Sequence, residues 1–260
     1  MTNREIEELE KKYLNKFYYF LKYAEDEMMY GFQTKETIKD DWFGKYGANI
    51  SNFAVGAERI IYALFNGKGV GQPNSCPVGA DMFFEVDDAY IHIDLKTVQT
   101  RNIGDITKNV FVGRNQNSYK SEIKKANGDS FNPVRIYEPA LPPFYNKGKV
   151  NEKICLSFFI TIVYEDVNLN ILNINLLCMP NGNLVSHYGS RVLQAGKNPD
   201  KTRFKFTEVP TFELLDNSKS RVKVVYFDKT MSESLKKSLS FYEAINLANK
   251  NRIENPRGFS

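Results

Sequence analysis

Residues 81–96 read DMFFEVDDAYIHIDLK, and the pattern of this stretch decides the fold. Its second half alternates. Ile91, Ile93 and Leu95 fall on one face of an extended chain, and Tyr90, His92, Asp94 and Lys96 on the other, because strand side chains have a period of two. The alternation predicts a strand over residues 90–98 with its apolar face toward a core. Residues 81–86 predict the partner strand, and Asp87-Asp88-Ala89 the turn between them. Asp94 and Lys96 are then next-but-one neighbours on one face, and Asp81 opens the partner strand within a short turn's reach of Asp94. Two carboxylates converging at a sheet edge repel each other unless a cation lies between them, and hard oxygen ligands suit Mg²⁺. A lysine beside such a pair orients a water, lowers its pKa, or stabilises charge on a phosphate.

Working outward, Phe53, Ala57, Ile60, Ile61 and Leu64 form an apolar stripe that predicts a helix over residues 51–65, with Ser51 or Asn52 as its cap. Glu58 interrupts this apolar segment. The glycine-rich run 66–71 lacks the spacing and the Lys-Ser/Thr ending of a phosphate-binding loop and reads as a connector. At the N-terminus, Ile6, Leu9, Tyr13, Phe17, Phe20 and Leu21 recur at helical spacing and predict one helix over residues 4–29. Downstream, β runs are expected at 154–164, 169–178, 203–207 and 222–227. A last helix begins near Ser232, and a proline-bearing loop lies between 127 and 150. This order of elements predicts an α/β (α+β) fold, a central mixed β-sheet flanked by helices.

The 260 residues, 42% hydrophobic and 25% charged, are ordinary globular composition for a single domain spanning 1–260. The first ten residues are acidic rather than basic and apolar, and the longest apolar run, 154–164, is too short for a membrane span. Cys76, Cys155 and Cys178 form no CxxC pair, so a reducing cytoplasmic location is expected. Net charge is only +4, but it is unevenly placed. Between residues 95 and 125 seven basic residues (Lys96, Arg101, Lys108, Arg114, Lys120, Lys124, Lys125) face only Asp105 and Glu122. A second basic stretch runs from Arg191 to Lys205. Localised positive charge of this kind suits a polyanion-binding face. The two histidines, His92 and His187, are too few for a histidine-based metal centre. His92 reads as a packing residue, and no G-x-S-x-G supports a hydrolase triad.

An acidic residue at the start of a hairpin followed by Asp-x-Lys on the next strand resembles the PD-(D/E)XK nuclease superfamily. The pieces here are Pro77-Val78-Gly79-Ala80-Asp81 and Asp94-Leu95-Lys96. The family's proline usually precedes the first acid directly, whereas Ala80 does so here. Asp94-Leu95-Lys96-Thr97 looks especially like the centre of certain Type II restriction endonucleases. The resemblance covers about residues 51–101. It implies a restriction-endonuclease-like core over about 51–180, with recognition or dimer elements in about 181–260. It implies catalytic roles for Asp81, Asp94, Lys96 and Glu58, and Mg²⁺ (or Mn²⁺) held by Asp81, Asp94 and the backbone of Leu95. Residues leaving the catalytic strand, Thr97, Gln99, Arg101 and Asn102, with Arg114, Asn115 and Asn117, are expected to contact double-stranded DNA, since Asn and Gln pair with adenine and Arg with guanine or phosphate. The expected activity is site-specific double-strand cleavage by a homodimer, with the N-terminal aromatic stripe Tyr13, Phe17, Phe20 a candidate interface, although such a stripe is more often core. The rival readings are a structure-specific repair or junction nuclease and a non-catalytic DNA-binding module.

Overall fold

A computed structural model describes residues 1–37, 53–66, 72–73, 81–166, 168–196, 198 and 201–254. The expected cap at Ser51 or Asn52, the run 67–71 and Pro77–Ala80 lie outside the described residues.

Among the described residues, three helices precede the sheet: α1 (Asn3–Tyr23), α2 (Glu25–Thr37) and α3 (Phe53–Asn66). The strands are β1 (Gln72–Pro73), β2 (Met82–Glu85), β3 (Ala89–Gln99), β4 (Asn109–Val112), β5 (Ser121–Glu122), β6 (Ile136–Tyr137), β7 (Phe144–Tyr145), β8 (Lys153–Tyr164) and β9 (Ile171–Met179). After the short helix α4 (Val185–Tyr188) come β10 (Leu193–Ala195), β11 (Thr202–Lys205), β12 (Thr211–Phe212), β13 (Asp216–Ser220) and β14 (Val222–Phe227). Helices α5 (Glu233–Ser238) and α6 (Ser240–Glu254) follow, with Ser232 capping α5 as expected. The expected helix over 4–29 is two helices. Ala24 leaves helical geometry at φ −94°, ψ 15°, and Glu25, Asp26 and Glu27 then crowd a new N-terminus, where the helix dipole favours acids.

The main sheet has seven strands in the order β1-β2-β3-β8-β9-β14, with β7 also paired to β8. Only the β3–β8 pair among these is parallel, so the sheet is mixed. Both faces are covered. Phe17 of α1 meets Phe158 edge-on at 5.2 Å, and Phe65 of α3 lies 5.8 Å from Phe84. Tyr242 of α6 interacts with Thr161, which alternates away from Phe158 and so faces the opposite layer. Burial on both sides explains why β8 and β9 read as near-continuous apolar runs.

Tyr13 and Phe17 are buried core residues and Phe20 packs against the core, so of the two readings of the α1 stripe, core and dimer interface, the first holds. The buried face of α1 also carries two acids. Glu7 and Glu10 are fully buried, and Arg221, equally buried, donates to each at 2.8 Å while also donating to the Tyr188 hydroxyl at 3.1 Å. Burial dominates over the Arg221 charge and holds the Glu10 carboxyl above its ordinary range. This cluster ties α1 to the segment around α4 and to the start of β14.

Candidate active site

The hairpin folds where its sequence predicts, except that Ala89, expected in the turn, is the first residue of β3. Met82 pairs with Ile93 and Glu85 with Tyr90, and the Val86 N–H donates to the Ala89 carbonyl across the two-residue turn Asp87-Asp88. Lys12 and Tyr13 of α1 both donate to the Asp88 carboxylate and fix the turn to the helical layer. Extending this register by one residue sets Asp81 opposite Asp94. The Leu95 N–H donates to Asp81 Oδ2 at 2.6 Å, so the first acid is bonded to the backbone between the second acid and the lysine. The N–H and C=O of one strand residue point toward the same neighbour, so the Leu95 carbonyl also points to the side of Asp81.

Asp94 is 3% exposed, while Asp81 is exposed. The Lys96 ammonium is ion-paired with Asp94 Oδ2, and Gln116 Nε2 donates to Asp94 Oδ1 at 2.6 Å. Gln116 Oε1 in turn accepts from Lys96 Nζ at 3.1 Å. Burial, reinforced by the Asp81 carboxylate and only partly offset by Lys96 and Gln116, pushes the Asp94 carboxyl up to about 6. Lys96 Nζ lies 5.5 Å from the ring centre of Phe111 and 5.8 Å from that of Phe159, and the Lys201 ammonium sits 4.9 Å from the same Phe111 ring. The small sheet β10-β11-β4 thus brings a second cation toward the site.

Glu58, half-buried on α3, is raised above its ordinary range by burial and then by the Asp81 charge, so it belongs to the same electrostatic neighbourhood. His92 shares the face of Asp94 but is buried, hydrogen-bonds the Tyr145 hydroxyl at 3.0 Å and packs on Phe83 with ring centres 4.6 Å apart. Burial depresses it to about 4, which leaves it neutral at pH 7, a packing residue. Among the described residues no three His, Cys, Asp or Glu side chains converge on one point. Two carboxylates and a carbonyl nevertheless fit Mg²⁺, which keeps several of its waters rather than demanding a full protein cage. The donors here are all oxygen, and the Asp81 charge helps to raise both Asp94 and Glu58, the condition that a cation relieves.

The same arrangement of sheet and hairpin occurs in solved nucleases. The restriction endonuclease BglI bound to its DNA recognition sequence superposes with a TM-score of 0.65 at 15% identity, over 87% of this chain and 92% of that one. Tetrameric restriction endonuclease SfiI bound to cognate DNA gives 0.64 at 16%, over 89% and 88%. At these identities the likeness speaks for the fold. Residues 2–168 match the family described as Type II restriction enzyme MwoI, N-terminal domain, and residues 171–227 match its central domain. The chain belongs to the MwoI family of Type II restriction enzymes. No curated protein matches it in sequence. As a Type II restriction endonuclease it is a site-specific deoxyribonuclease of a family that depends on divalent metal, and a structure-specific repair nuclease and a non-catalytic module are set aside. Among the described residues no helix is long and apolar enough to cross a membrane.

In this restriction enzyme the residues expected at DNA separate into two groups. Thr97, Gln99, Arg101 and Asn102 line one groove of about 360 Å³ at the end of β3, together with Asp105 and Tyr164. Arg101 and Asn102 are exposed, and Arg101 reaches Asp166 at 3.6 Å. Arg114 is exposed and Asn115 half-buried on the turn after β4. Asn117 requires correction. It is fully buried, its amide donates to the Tyr137 hydroxyl at 2.8 Å and its Oδ1 accepts from the Tyr119 N–H at 2.9 Å, so it is engaged inside the turn and cannot read bases. Its neighbour Gln116, bonded to both Asp94 and Lys96, was not expected at the candidate site. The hint in the sequence is an amide in a polar run soon after β3.

Proposed function

We propose that this enzyme cuts both strands of a short duplex site as a Mg²⁺-dependent homodimer, with Asp81, Asp94 and Lys96 at each catalytic centre. The observation that carries the reading is the bond from the Leu95 N–H to Asp81, which locks the first acid onto the strand bearing Asp94 and Lys96. A bound divalent cation would supply charge stabilisation at the scissile phosphate and a water of lowered pKa. Asp81, Asp94 and the Leu95 carbonyl are the groups to hold it, with Glu58 assisting from α3. Lys96 orients the attacking water and offsets charge as its oxygen bonds to phosphorus and the bond to the leaving sugar oxygen breaks, that oxygen taking a proton.

Thr97, Gln99, Arg101 and Asn102 lie where β3 leaves the centre, so they meet DNA beside the scissile phosphate, and Arg114 and Asn115, on the turn that carries Gln116, contact it as well. One centre cuts one phosphodiester at a time, so a double-strand break at a palindromic site calls for two, as a two-fold dimer supplies. Digestion of a sequenced plasmid with end mapping tests the proposal. Discrete fragments are expected, lost in EDTA and restored by Mg²⁺ or Mn²⁺; full cleavage in excess EDTA would remove the metal role. Sedimentation tests assembly, with about twice the chain mass of 29.9 kDa expected.

A further inference from the structure

Gln116 stands 20 residues beyond Lys96 in sequence, yet its side-chain amide touches both groups of the Asp-x-Lys pair. Its orientation is fixed by donor and acceptor chemistry. Oε1 accepts from Lys96 Nζ at 3.1 Å and from the Gly113 N–H at 2.6 Å, and both of these can only donate. Nε2 donates to Asp94 Oδ1 at 2.6 Å, which can accept. Turning the amide over would set two donors against its NH₂ and a carboxylate against its oxygen. The amide therefore reads the two side chains in one sense only.

The turn that carries Gln116 is built to hold it there. Residues 114–116 form a 3₁₀ turn after Gly113. A Cβ on Gly113 would come within 3.2 Å of Gln116 Cδ, so glycine is what lets this side chain fold back over its own backbone. The turn is pinned from outside by the Tyr137 hydroxyl, which donates to the Gly113 carbonyl at 2.6 Å. Arg114 adds a further tie, its Nε donating to the Glu138 carbonyl at 2.7 Å and its own carbonyl accepting from the Ala140 N–H, also at 2.7 Å. Buried Asn117 adds the bond to Tyr137 described above. A rigid turn holds a single amide against both catalytic groups.

We propose that Gln116 is a positioning residue for cleavage. It sets the direction in which the Asp94 carboxylate and the Lys96 ammonium point, and so their aim at the scissile phosphate. The proposal rests on the catalytic reading of Asp81, Asp94 and Lys96. Because it acts through those groups, Gln116 should affect the chemical step and not the hold on DNA.

The test compares wild type with Gln116→Met, which keeps the length and loses both polar links, and with Gln116→Glu. Glutamate is nearly isosteric and keeps the acceptor for Lys96 and Gly113, but it sets a carboxylate against Asp94. Single-turnover cleavage of a duplex carrying the mapped site is measured beside the Kd for the same duplex in Ca²⁺, with urea unfolding of each variant. Both variants should slow the chemical step about 10- to 100-fold, the scale of a small misplacement of catalytic groups. The Kd should stay within about threefold, since no phosphate contact is removed. A side chain with a packing role only would leave Gln116→Glu at the wild-type rate, and that result overturns the proposal. A loss in Kd equal to the loss in rate overturns it as well, making Gln116 a DNA contact. Lys96→Ala, run in parallel, separates the two levels of the argument. If it is slow while the Gln116 variants are not, only the positioning role fails. If it cuts at the wild-type rate, the assignment of the centre fails and the proposal with it.

Discussion

Lys96→Met tests the catalytic centre and its electrostatics together. The substitution keeps the buried stem between Phe111 and Phe159 and removes only the charge. In cleavage the loss should be at least about 10²-fold, the scale of removing one preorganised electrostatic group from a transition state. In stability, deleting one partner of a buried ion pair ordinarily costs about 3–5 kcal/mol. Here the cost has a ceiling, because Asp94 can take up a proton. With the carboxyl already raised to about 6, protonating it at pH 7.5 costs about 2 kcal/mol at 1.36 kcal/mol per unit, and Asp94 cannot contribute more than that. At pH 6 the ceiling falls to a few tenths of a kcal/mol. The sign follows from linkage. The folded state holds the Asp94 proton more tightly than the unfolded chain, so metal-free wild type loses stability as pH rises from about 4 to about 6, and the variant continues to lose it at higher pH. Urea unfolding in EDTA at pH 6.0 and 7.5, beside single-turnover cleavage of supercoiled plasmid, measures each part. Cleavage within tenfold of wild type, or a 4 kcal/mol destabilisation equal at both pH values, would refute the reasoning.

Asp81→Ala and Asp94→Ala should each lose at least about 10²-fold in cleavage in Mg²⁺ while remaining folded, and for the wild-type enzyme Ca²⁺ should support specific binding, read by gel shift, without efficient cutting. Neutralising Arg101 and Arg114 together should flatten the dependence of log K on log salt by about 1.8, at 0.9 per phosphate contact; an unchanged slope places the DNA face elsewhere, with the stretch from Arg191 to Lys205 the first alternative. Arg221→Met leaves Glu7 and Glu10 buried without their cation and should cost about 3–5 kcal/mol in urea unfolding at pH 7.5, with part of the loss recovered at lower pH as Glu10, already raised by burial, takes up a proton. A loss below about 1 kcal/mol would mean that the cluster opens to water.

The hairpin that carries the candidate site was legible in the sequence because its two signals are local. Period-two alternation from Tyr90 to Lys96 sets which side chains share a face, and a short turn keeps Asp81 within reach of Asp94, while the register itself, set by a turn one residue shorter than expected, came from the structure. The mixed sheet with helices on its faces followed from the order of elements and from apolar runs in β8 and β9 that only a strand covered on both sides needs. What no local pattern encodes was left to tertiary structure. Gln116 and Asn117 are adjacent amides in one polar run, yet one bridges Asp94 and Lys96 while the other is sealed beneath Tyr137; the difference is a single 3₁₀ turn docked on a segment 20 residues away. Nothing in the sequence marks Glu7 and Glu10 as buried, because their partner Arg221 lies more than 200 residues distant, beyond the reach of any periodicity. The α1 stripe was correctly read as apolar, but whether such a stripe faces a sheet or a second subunit depends on what the rest of the chain packs against it, and here that is Phe158 and Phe65. Sequence therefore determined the residues within one hairpin's reach, where backbone geometry leaves few choices. The third dimension decided which distant side chains complete the centre and which charges are buried, because those depend on contacts between elements the chain brings together only on folding.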